Sequence, residues 1–452
     1  MTREACIIGA GSSGIVAAKI LAERGIPFEG FELGSDIGGI WRYRNDSGRS
    51  PAYRSLETNT SAARTAYRCF PLDGPPRYLE HGELLAYFEA FADRFDVRDR
   101  FRFRHEVVRV EEADGGYRVT ARSLEDGRER EAVCADVLVA AGHHWDAHLP
   151  DWVEAFTGPV FHSRAYRTPD DPEPLAGRRV LVVGIGNSAC DIACDVADVA
   201  GRVVLSTRRG AHVLPKKLFG RPIDLWVTPL TSRLPVSLQA RLLDGLVRLD
   251  RGDQRRYGLP RPPYPLGHEH PTLSQDLPGL VRSGAIAVAP DVEGVEGRRI
   301  RFADGWADSF DVVICATGYH IAFPFLASAI LDRIDPAGRG PNRENGRIAG
   351  NRIRLYRHVV PPDVRGLYFL GLVQPLGAIP PLAEAQAEWI ADLLEGTSAL
   401  PSPGDMWASI EATERRVRER FVESRRHTLE VDVFPYTRTL ARERRTGRAR
   451  AR

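Results

Sequence analysis

The chain has 452 residues, a length that accommodates two or three domains with large buried cores. Hydrophobic residues make up 43% and charged residues 27%, which is typical of a globular protein, and the formal net charge is only +2. Lysine occurs only at Lys19, Lys216 and Lys217, so the many arginines indicate a GC-rich coding bias and not a nucleic-acid surface. We therefore expect no nucleic-acid partner.

Hydropathy and cysteine usage bear on location and metal binding. No apolar run approaches the ~18 residues that a membrane-spanning helix needs, and the N-terminus enters a strand and a glycine loop without the pattern of a signal peptide. The six cysteines are scattered, and none forms a C-x-x-C pair. We expect a cytoplasmic protein with reduced cysteines, no membrane attachment and no metal site.

The first predicted unit is a dinucleotide-binding βαβ motif in EACIIGAGSSG, residues 4–14. A short apolar strand leads into Gly9-x-Gly11-x-x-Gly14, and a helical pattern follows. The three glycines permit a tight turn, approach of the pyrophosphate to the backbone, and close packing of helix on strand. Glu32 ends the next predicted strand, where a carboxylate accepts hydrogen bonds from ribose hydroxyls.

The same pattern recurs in RRVLVVGIGNSACDIACDVA, residues 178–197. Its loop contains Gly184 and Gly186, with Ala in place of the third glycine. The position that corresponds to Glu32 is now Thr207, which is followed by Arg208 and Arg209. Loss of the carboxylate removes repulsion of a 2′-phosphate, and arginines bind such a phosphate, so this loop favours NADP(H). The alternative is that both arginines are only exposed residues at the end of a strand.

Two loops of different charge predict two different cofactors, with FAD in the first loop if the second holds NADP(H). The apolar stretches 135–142 and 310–318 mark where the chain leaves the first domain and returns to it. We predict an α/β fold with two dinucleotide-binding, Rossmann-like domains and parallel sheets. The FAD domain spans 1–155 and 310–440, the inserted NADPH domain spans 156–309, and a basic tail, solvated and partly disordered, spans 441–452.

The segment FTGPVFHSRAY, residues 156–166, has the spacing F-x-G-x-x-x-H-x-x-x-Y at Phe156, Gly158, His162 and Tyr166. This spacing resembles the signature of the flavin-containing monooxygenases with two dinucleotide domains. Further similar stretches are DIGGIWRY, LETNTS, GNSACDIA and HPTLSQDL. The resemblance implies that the signature is a hinge that couples the NADPH domain to the flavin, and that His162 has a structural role.

The resemblance also implies the chemistry. NADPH reduces FAD, the reduced flavin forms a C4a-hydroperoxide with O2, and the nitrogen of an amine or the sulfur of a sulfide attacks its distal oxygen. Asn59 corresponds to the family asparagine beside the flavin and is the catalytic candidate. The FAD-binding candidates are Gly9, Gly11, Ser13, Gly14, Glu32, Gly39, Trp41, Thr58 and Gln374. The NADPH-binding candidates are Gly184, Gly186, Asn187, Ser188, Ser206, Thr207, Arg208 and Arg209.

Other functions stay open at this point. Baeyer–Villiger oxygenation of a ketone is disfavoured because the relatives with that activity usually have Trp where this chain has Tyr166. A disulfide reductase is disfavoured because it needs a redox cysteine pair, which this sequence does not have at the expected spacing. A non-catalytic dinucleotide-binding redox sensor is disfavoured because it has no need of the peroxide-stabilising block LETNTS.

The histidine-rich stretch GHHWDAHLP, residues 142–150, resembles a family loop and is not predicted to bind metal. The family often has Lys after the asparagine block, whereas Ala62 and Ala63 follow here. A homodimer is compatible with the resemblance.

Overall fold

The computed structural model describes residues 4–338, 344–420 and 428–452. Residues 339–343 and 421–427 of the predicted FAD domain lie outside the described residues. The framework consists of two five-stranded sheets, and all their strands run parallel. Parallel sheets of this kind carry their ligand sites at the carboxyl ends of the strands. The predicted α/β fold with two parallel sheets is confirmed.

The first sheet is centred on the strand Ala5–Ile8. This strand pairs with Phe28–Phe31 on one side and with Asp136–Val139 on the other. The helix Ser12–Glu23 follows it and packs against the helix Pro380–Leu394, so a C-terminal element covers the first domain. Every residue of Ala5–Ile8 is buried, since Ala5 and Ile7 pack in a cluster with these two helices, and Cys6 and Ile8 pack in a second cluster on the other face.

The second sheet is centred on Arg179–Val183. Its neighbours are Arg202–Ser206 and Val312–Cys315, and the strand Val160–His162 of the signature segment forms the edge beyond Val312–Cys315. The boundary predicted at residue 310 is therefore wrong, because the chain first adds Val312–Cys315 to the second sheet. A fully buried apolar strand suits either parallel sheet, so its composition does not determine which one it joins.

The remaining elements surround these sheets. Two three-stranded antiparallel sheets, four two-stranded pairs and ten helices are described. The antiparallel sheets are formed by His105–Ala113, Gly116–Ser123 and Glu129–Cys134, and by Val292–Glu296, Arg299–Phe302 and Ala307–Ser309. The strand pairs are Asp146–Ala147 with Tyr319–His320, Val213–Leu214 with Thr272–Leu273, Lys217–Leu218 with Arg221–Pro222, and Gln374–Leu376 with Glu430–Asp432. The helices are Ser12–Glu23, Ala62–Thr65, His81–Arg94, Asn187–Ala197, Val236–Arg251, Leu277–Ser283, Ser328–Ile334, Pro380–Leu394, Pro403–Arg420 and Val433–Arg450. Among the described residues, no helix combines the length and the apolar character needed to cross a bilayer.

The basic tail predicted to be solvated and partly disordered is instead the end of the helix Val433–Arg450. One face of this helix packs against the helix Pro380–Leu394. Gly447 packs so closely that an added Cβ would lie 2.0 Å from the Ser398 hydroxyl oxygen. Arg444 donates to Asp392 at 2.7 Å and also pairs with Glu388. Acidic partners more than 50 residues away order the tail, and its local composition gives no sign of them.

We expect Arg444→Ala to lower the free energy of unfolding by about 1–3 kcal/mol, because hydrogen bonds to charged groups contribute this much. The Asp392 side chain is only 1% exposed and would lose its shorter contact to the tail helix, while Arg448 of that helix at 3.5 Å and Arg24 at 2.7 Å remain. The control is Arg445→Ala, since Arg445 is exposed on the same helix. Urea denaturation of the FAD-loaded protein measures both variants. Equal stability of the two would contradict a docked tail.

Candidate functional site

The first glycine loop has the geometry of a phosphate-binding turn. Gly9 has φ 101°, and a Cβ added there would lie 2.7 Å from the carbonyl oxygen of Ala140. A Cβ on Gly14 would lie 1.8 Å from the Gly9 oxygen, so the helix can pack this closely only with glycine. Gly11 faces open space, with its nearest contact at 3.8 Å from a Cβ added there. The following helix has no side-chain cap, so its first N–H groups are available to a pyrophosphate.

Glu32 lies directly after Phe28–Phe31, beside this loop. Its two carboxylate oxygens accept backbone N–H groups from Ala10 at 2.6 Å and from Gly34 at 2.8 Å. Burial raises the pKa of Glu32, and these two hydrogen bonds oppose the rise. Each oxygen keeps a lone pair that can accept from a ribose hydroxyl. Glu32 therefore both shapes the loop and suits the predicted ribose contact.

Three other predicted FAD residues border the same loop or its helix. Gly39 begins the short helical turn Gly39–Trp41, and a Cβ added to it would lie 3.0 Å from the Cα of Gly11. Ser13 is buried in the first turn of Ser12–Glu23, where its hydroxyl abuts Gly371. Gln374 starts the strand Gln374–Leu376, a few residues beyond Gly371. The fold thus brings residues 9–14 close to Gly39 and to Gly371, while Gln374 pairs with the strand Glu430–Asp432.

The catalytic candidate Asn59 lies in a turn fixed by its neighbours. The Thr58 hydroxyl donates to the Thr60 carbonyl at 2.8 Å and accepts from the Leu79 N–H at 2.9 Å. The Thr58 side chain therefore holds the turn, although it was predicted to bind FAD. The Oδ1 atom of Asn59 is buried and has no hydrogen-bond partner within the described residues. A buried amide oxygen without a partner is unusual in proteins and is suited to binding a ligand.

The second glycine loop repeats the first with different side chains. Gly184 has φ 129°, and a Cβ there would lie 2.5 Å from the Ala316 carbonyl oxygen. The helix Asn187–Ala197 begins behind Gly186 without a side-chain cap, which leaves N–H groups, including that of Ser188, for phosphate. The Asn187 side chain accepts the Leu273 N–H at 2.8 Å and so holds a neighbouring strand. The Oδ1 atom of Asn187 is therefore already bonded within the domain, and the predicted contact to NADPH would use its Nδ2 or backbone N–H.

The end of Arg202–Ser206 carries the charge that distinguishes the second loop. The hydroxyl of Ser206 donates to the Pro290 carbonyl at 2.7 Å, and the hydroxyl of Thr207 donates to the Arg209 carbonyl at 2.6 Å. Both hydroxyl protons are thus used inside the domain. Arg208 is exposed and Arg209 is half-buried. In the described part of the chain, neither guanidinium has a recorded ion pair, so both suit a 2′-phosphate.

In the signature segment, packing or hydrogen bonding explains the residue type at each position of the F-x-G-x-x-x-H-x-x-x-Y spacing. Phe156 is buried, and Gly158 lies against its ring and the Asp311 carbonyl, where a Cβ would lie 2.6 Å from the ring. His162 is buried; its Nε2 donates to the Gly318 carbonyl at 3.0 Å, and its Nδ1 accepts the Arg164 N–H at 3.1 Å. Burial lowers the pKa of His162 to about 4, so the ring is neutral at physiological pH.

Tyr166 and Arg164 of the same segment, with Arg167 that directly follows it, connect the two domains. The Tyr166 hydroxyl donates to Asp195 at 2.5 Å on the helix that follows the second glycine loop. Arg164 donates to the Gly48 carbonyl at 2.7 Å, and Arg167 donates to the Ser50 carbonyl at 3.0 Å. These carbonyls belong to the predicted FAD domain. The geometry therefore supports a signature that fastens one domain to the other.

A second connection was not predicted from the sequence. Tyr53 of the first domain is buried beside Tyr166, and its hydroxyl donates to Asp191 at 2.6 Å. Burial raises the pKa of Asp191 to about 6, and the bond from Tyr53 opposes this rise. The two residues are 138 positions apart, so no local pattern could have paired them.

Two other features lie apart from these residues. Burial lowers the pKa of His143 well below its ordinary value, and no cluster of metal-binding side chains occurs among the residues that the structure covers. A cavity of about 670 Å³ lies beside the helix Val236–Arg251, lined by residues such as Arg241 and Tyr264. None of the predicted cofactor residues lines this cavity.

Two glycine loops of different charge, joined by a hydrogen-bonded segment, define a flavoprotein with separate flavin and nicotinamide domains. Residues 2–446 match the family described as flavin-binding monooxygenase-like, and the chain belongs to this family. It is a monooxygenase that uses FAD and NADPH. Membership of an enzyme family disfavours the disulfide reductase and the redox sensor as alternatives.

The relatives match almost the entire chain. Flavin-containing monooxygenase 5 of Mus musculus is 34% identical over 449 residues, covering 95% of this chain and 80% of that protein. Dimethylaniline monooxygenase [N-oxide-forming] 2 of Macaca mulatta is 33% identical over 465 residues, covering 98% and 83%. The S-allyl-L-cysteine S-oxygenase structure from Allium sativum has a TM-score of 0.70 at 25% identity, covering 100% and 92%. The structure of OTEMO with FAD and NADP has a TM-score of 0.71 at 18% identity, covering 99% and 98%, and shows the fold alone.

We expect the stability of the wild type to fall as the pH decreases from about 6.5 to about 4. In that range the unfolded chain protonates His162 while the folded chain, with a pKa of about 4, keeps it neutral. The loss between pH 7 and pH 5 is about 2 kcal/mol. His162→Gln keeps a donor for Gly318 and removes this proton uptake, so its melting temperature should decline less. Parallel declines in both proteins would show that His162 is not buried in its neutral form.

Proposed function

We propose that this enzyme oxygenates the nitrogen of a small amine or the sulfur of a small sulfide. A similar protein is named for N-oxide formation and a similar structure for S-oxygenation, which supports a soft heteroatom as the target. The observation that carries the proposal is the buried, unpartnered Oδ1 of Asn59 in a turn held by its neighbours. From this position Oδ1 can accept a hydrogen bond from the ribose or nicotinamide, and Nδ2 can donate one to the reacting oxygen, with no change in protonation state.

The two glycine loops divide the work between the cofactors. Gly9, Gly11 and Gly14 leave room for the FAD pyrophosphate at a helix start, and Glu32 suits its ribose. When bound, FAD supplies the electron transfer and the activation of O2. The chain contributes orientation and hydrogen bonds, and it excludes water from the reacting oxygen. Asn59 is the residue that we assign to hydrogen bonding at the reacting atoms.

We propose that Arg208 and Arg209 select NADPH over NADH. Charge-assisted bonds of this type contribute ~1.5–3 kcal/mol each, which corresponds to about tenfold to a hundredfold in affinity. Arg208→Ala should raise the Michaelis constant for NADPH by about tenfold or more and leave that for NADH nearly unchanged. The control is Arg282→Ala, an exposed arginine at the end of the helix Leu277–Ser283. An equal increase for both nucleotides would contradict the assignment.

The substrate class and the role of Asn59 are tested together. The FAD-loaded enzyme is incubated with NADPH, O2 and a panel of tertiary amines, sulfides and ketones, and the products are identified by mass. We expect N-oxides or sulfoxides from the wild type. Asn59→Asp should bind FAD and oxidise NADPH, but yield mainly H2O2, because a carboxylate repels the anionic oxygen that the amide stabilises.

The measurement is the ratio of oxygenated product to NADPH consumed. The matched control is Asn345→Asp, the same substitution at an exposed loop position. An unchanged ratio in Asn59→Asp would remove Asn59 from the site. Lactones or esters from ketones, with no N-oxide or sulfoxide, would contradict the proposed substrate class.

A further inference from the structure

A segment of the second domain reaches across to the turn that carries Asn59. The Lys216 Nζ atom pairs with Glu57 at 2.9 Å, and the Lys216 carbonyl accepts the Tyr78 hydroxyl. The same hydroxyl accepts the Ile223 N–H at 3.2 Å. Residues 216–224, which lead into the helical turn Ile223–Trp226, thus contact residues of the first domain on both sides of Asn59 in sequence.

The central contact of this interface is between Asp224 and Ser61. The Oδ2 atom of Asp224 accepts both the Ser61 backbone N–H at 2.8 Å and the Ser61 hydroxyl at 2.7 Å. Ser61 is completely buried. It precedes the short helix Ala62–Thr65, and its hydroxyl makes no capping bond to that helix. The Ser61 hydroxyl thus donates to Asp224, and its oxygen does not accept a backbone N–H at the start of this helix.

This contact completes the support of Asn59 from both sides. Thr58 is fixed by the Leu79 N–H of its own domain, as described above. Ser61, two residues after Asn59, is fixed by the carboxylate of the other domain. Only Asn59 and Thr60 lie between these two anchored residues and have little freedom, so the Asn59 amide takes its orientation from both anchors.

We propose that Asp224 is a positioning residue that orients Asn59 for the oxygenation step. The role rests on the proposed function of Asn59. Asp224 lies in the segment between the strands Arg202–Ser206 and Ile286–Ala289 of the NADPH-binding sheet, so the geometry of the oxygenation site depends on contact between the two domains. Asp224 thereby makes productive use of O2 depend on the docked NADPH domain.

The test compares Asp224→Ala and Asp224→Asn with the wild type as FAD-loaded enzymes in the presence of NADP+. Hydrogen exchange at the amides of residues 58–65 is measured by mass spectrometry. Asp224→Ala should speed this exchange by about tenfold or more, because it removes two hydrogen bonds to a charged acceptor. Asp224→Asn keeps an oxygen that accepts both bonds and should restore most of the protection.

The second measurement is the ratio of product to NADPH consumed. Asp224→Ala should lower this ratio severalfold while the rate of NADPH oxidation at saturating substrate changes little, and Asp224→Asn should recover much of it. Ser61→Ala removes one of the two bonds and should give an intermediate result, which keeps the test valid if Asp224→Ala does not fold. Glu57→Gln weakens the neighbouring ion pair of the same interface and should change neither measurement.

Three outcomes overturn the proposal. Unchanged exchange in Asp224→Ala would show that the contact does not hold the turn. Faster exchange with an unchanged product ratio would show that Asp224 is structural and does not position Asn59. If Glu57→Gln changed hydrogen exchange and the product ratio as much as Asp224→Ala does, any weakening of the interface would have the same effect, and Asp224 would have no specific role. A wild type without any N- or S-oxygenated product would instead overturn the proposed function, which is distinguishable because the exchange measurement does not depend on activity.

Discussion

The site depends above all on the hydrogen bonds of the signature segment, since FAD and NADPH bind on separate sheets and must still meet. Residues 160–162 extend the second sheet, while Arg164 and Arg167 donate to backbone carbonyls of the first domain. Guanidinium groups suit this task because they present several fixed donors and stay charged at all physiological pH values. One short segment is therefore part of one domain and attached to the other.

The two glycine loops show how similar backbones acquire different ligands. Both have a glycine with positive φ before a helix that lacks a side-chain cap, which creates the same phosphate site twice. The difference lies at the end of the next strand. Glu32 is turned inward and bonded to the loop, whereas Arg208 projects into solvent. A buried acceptor suits ribose hydroxyls, and an exposed cation suits a phosphate.

The sequence predicted the main features of the fold but was wrong at two places where distant parts of the chain meet. The strand Val312–Cys315 was assigned to the flavin domain, although it pairs with Arg179–Val183. The basic tail was expected to be solvated and partly disordered, although it ends a helix on which Arg444 pairs with buried Asp392. Local composition gives the propensity of a segment to form a strand or to be solvated. The residues that such a segment pairs with lie far away in sequence, so the local composition does not predict them.

The sequence by itself determined the two dinucleotide loops, their different charges and the family, because glycine spacing and strand-end residues are local requirements of phosphate and ribose binding. Only the tertiary structure showed that Tyr53 bonds Asp191, that Thr58 holds its own turn and that Asp224 bonds Ser61. These contacts join residues of different elements or compete for the same hydroxyl. The Thr58 bonds depend on distances within the folded first domain, and the other two depend on distances that exist only after the two domains have packed.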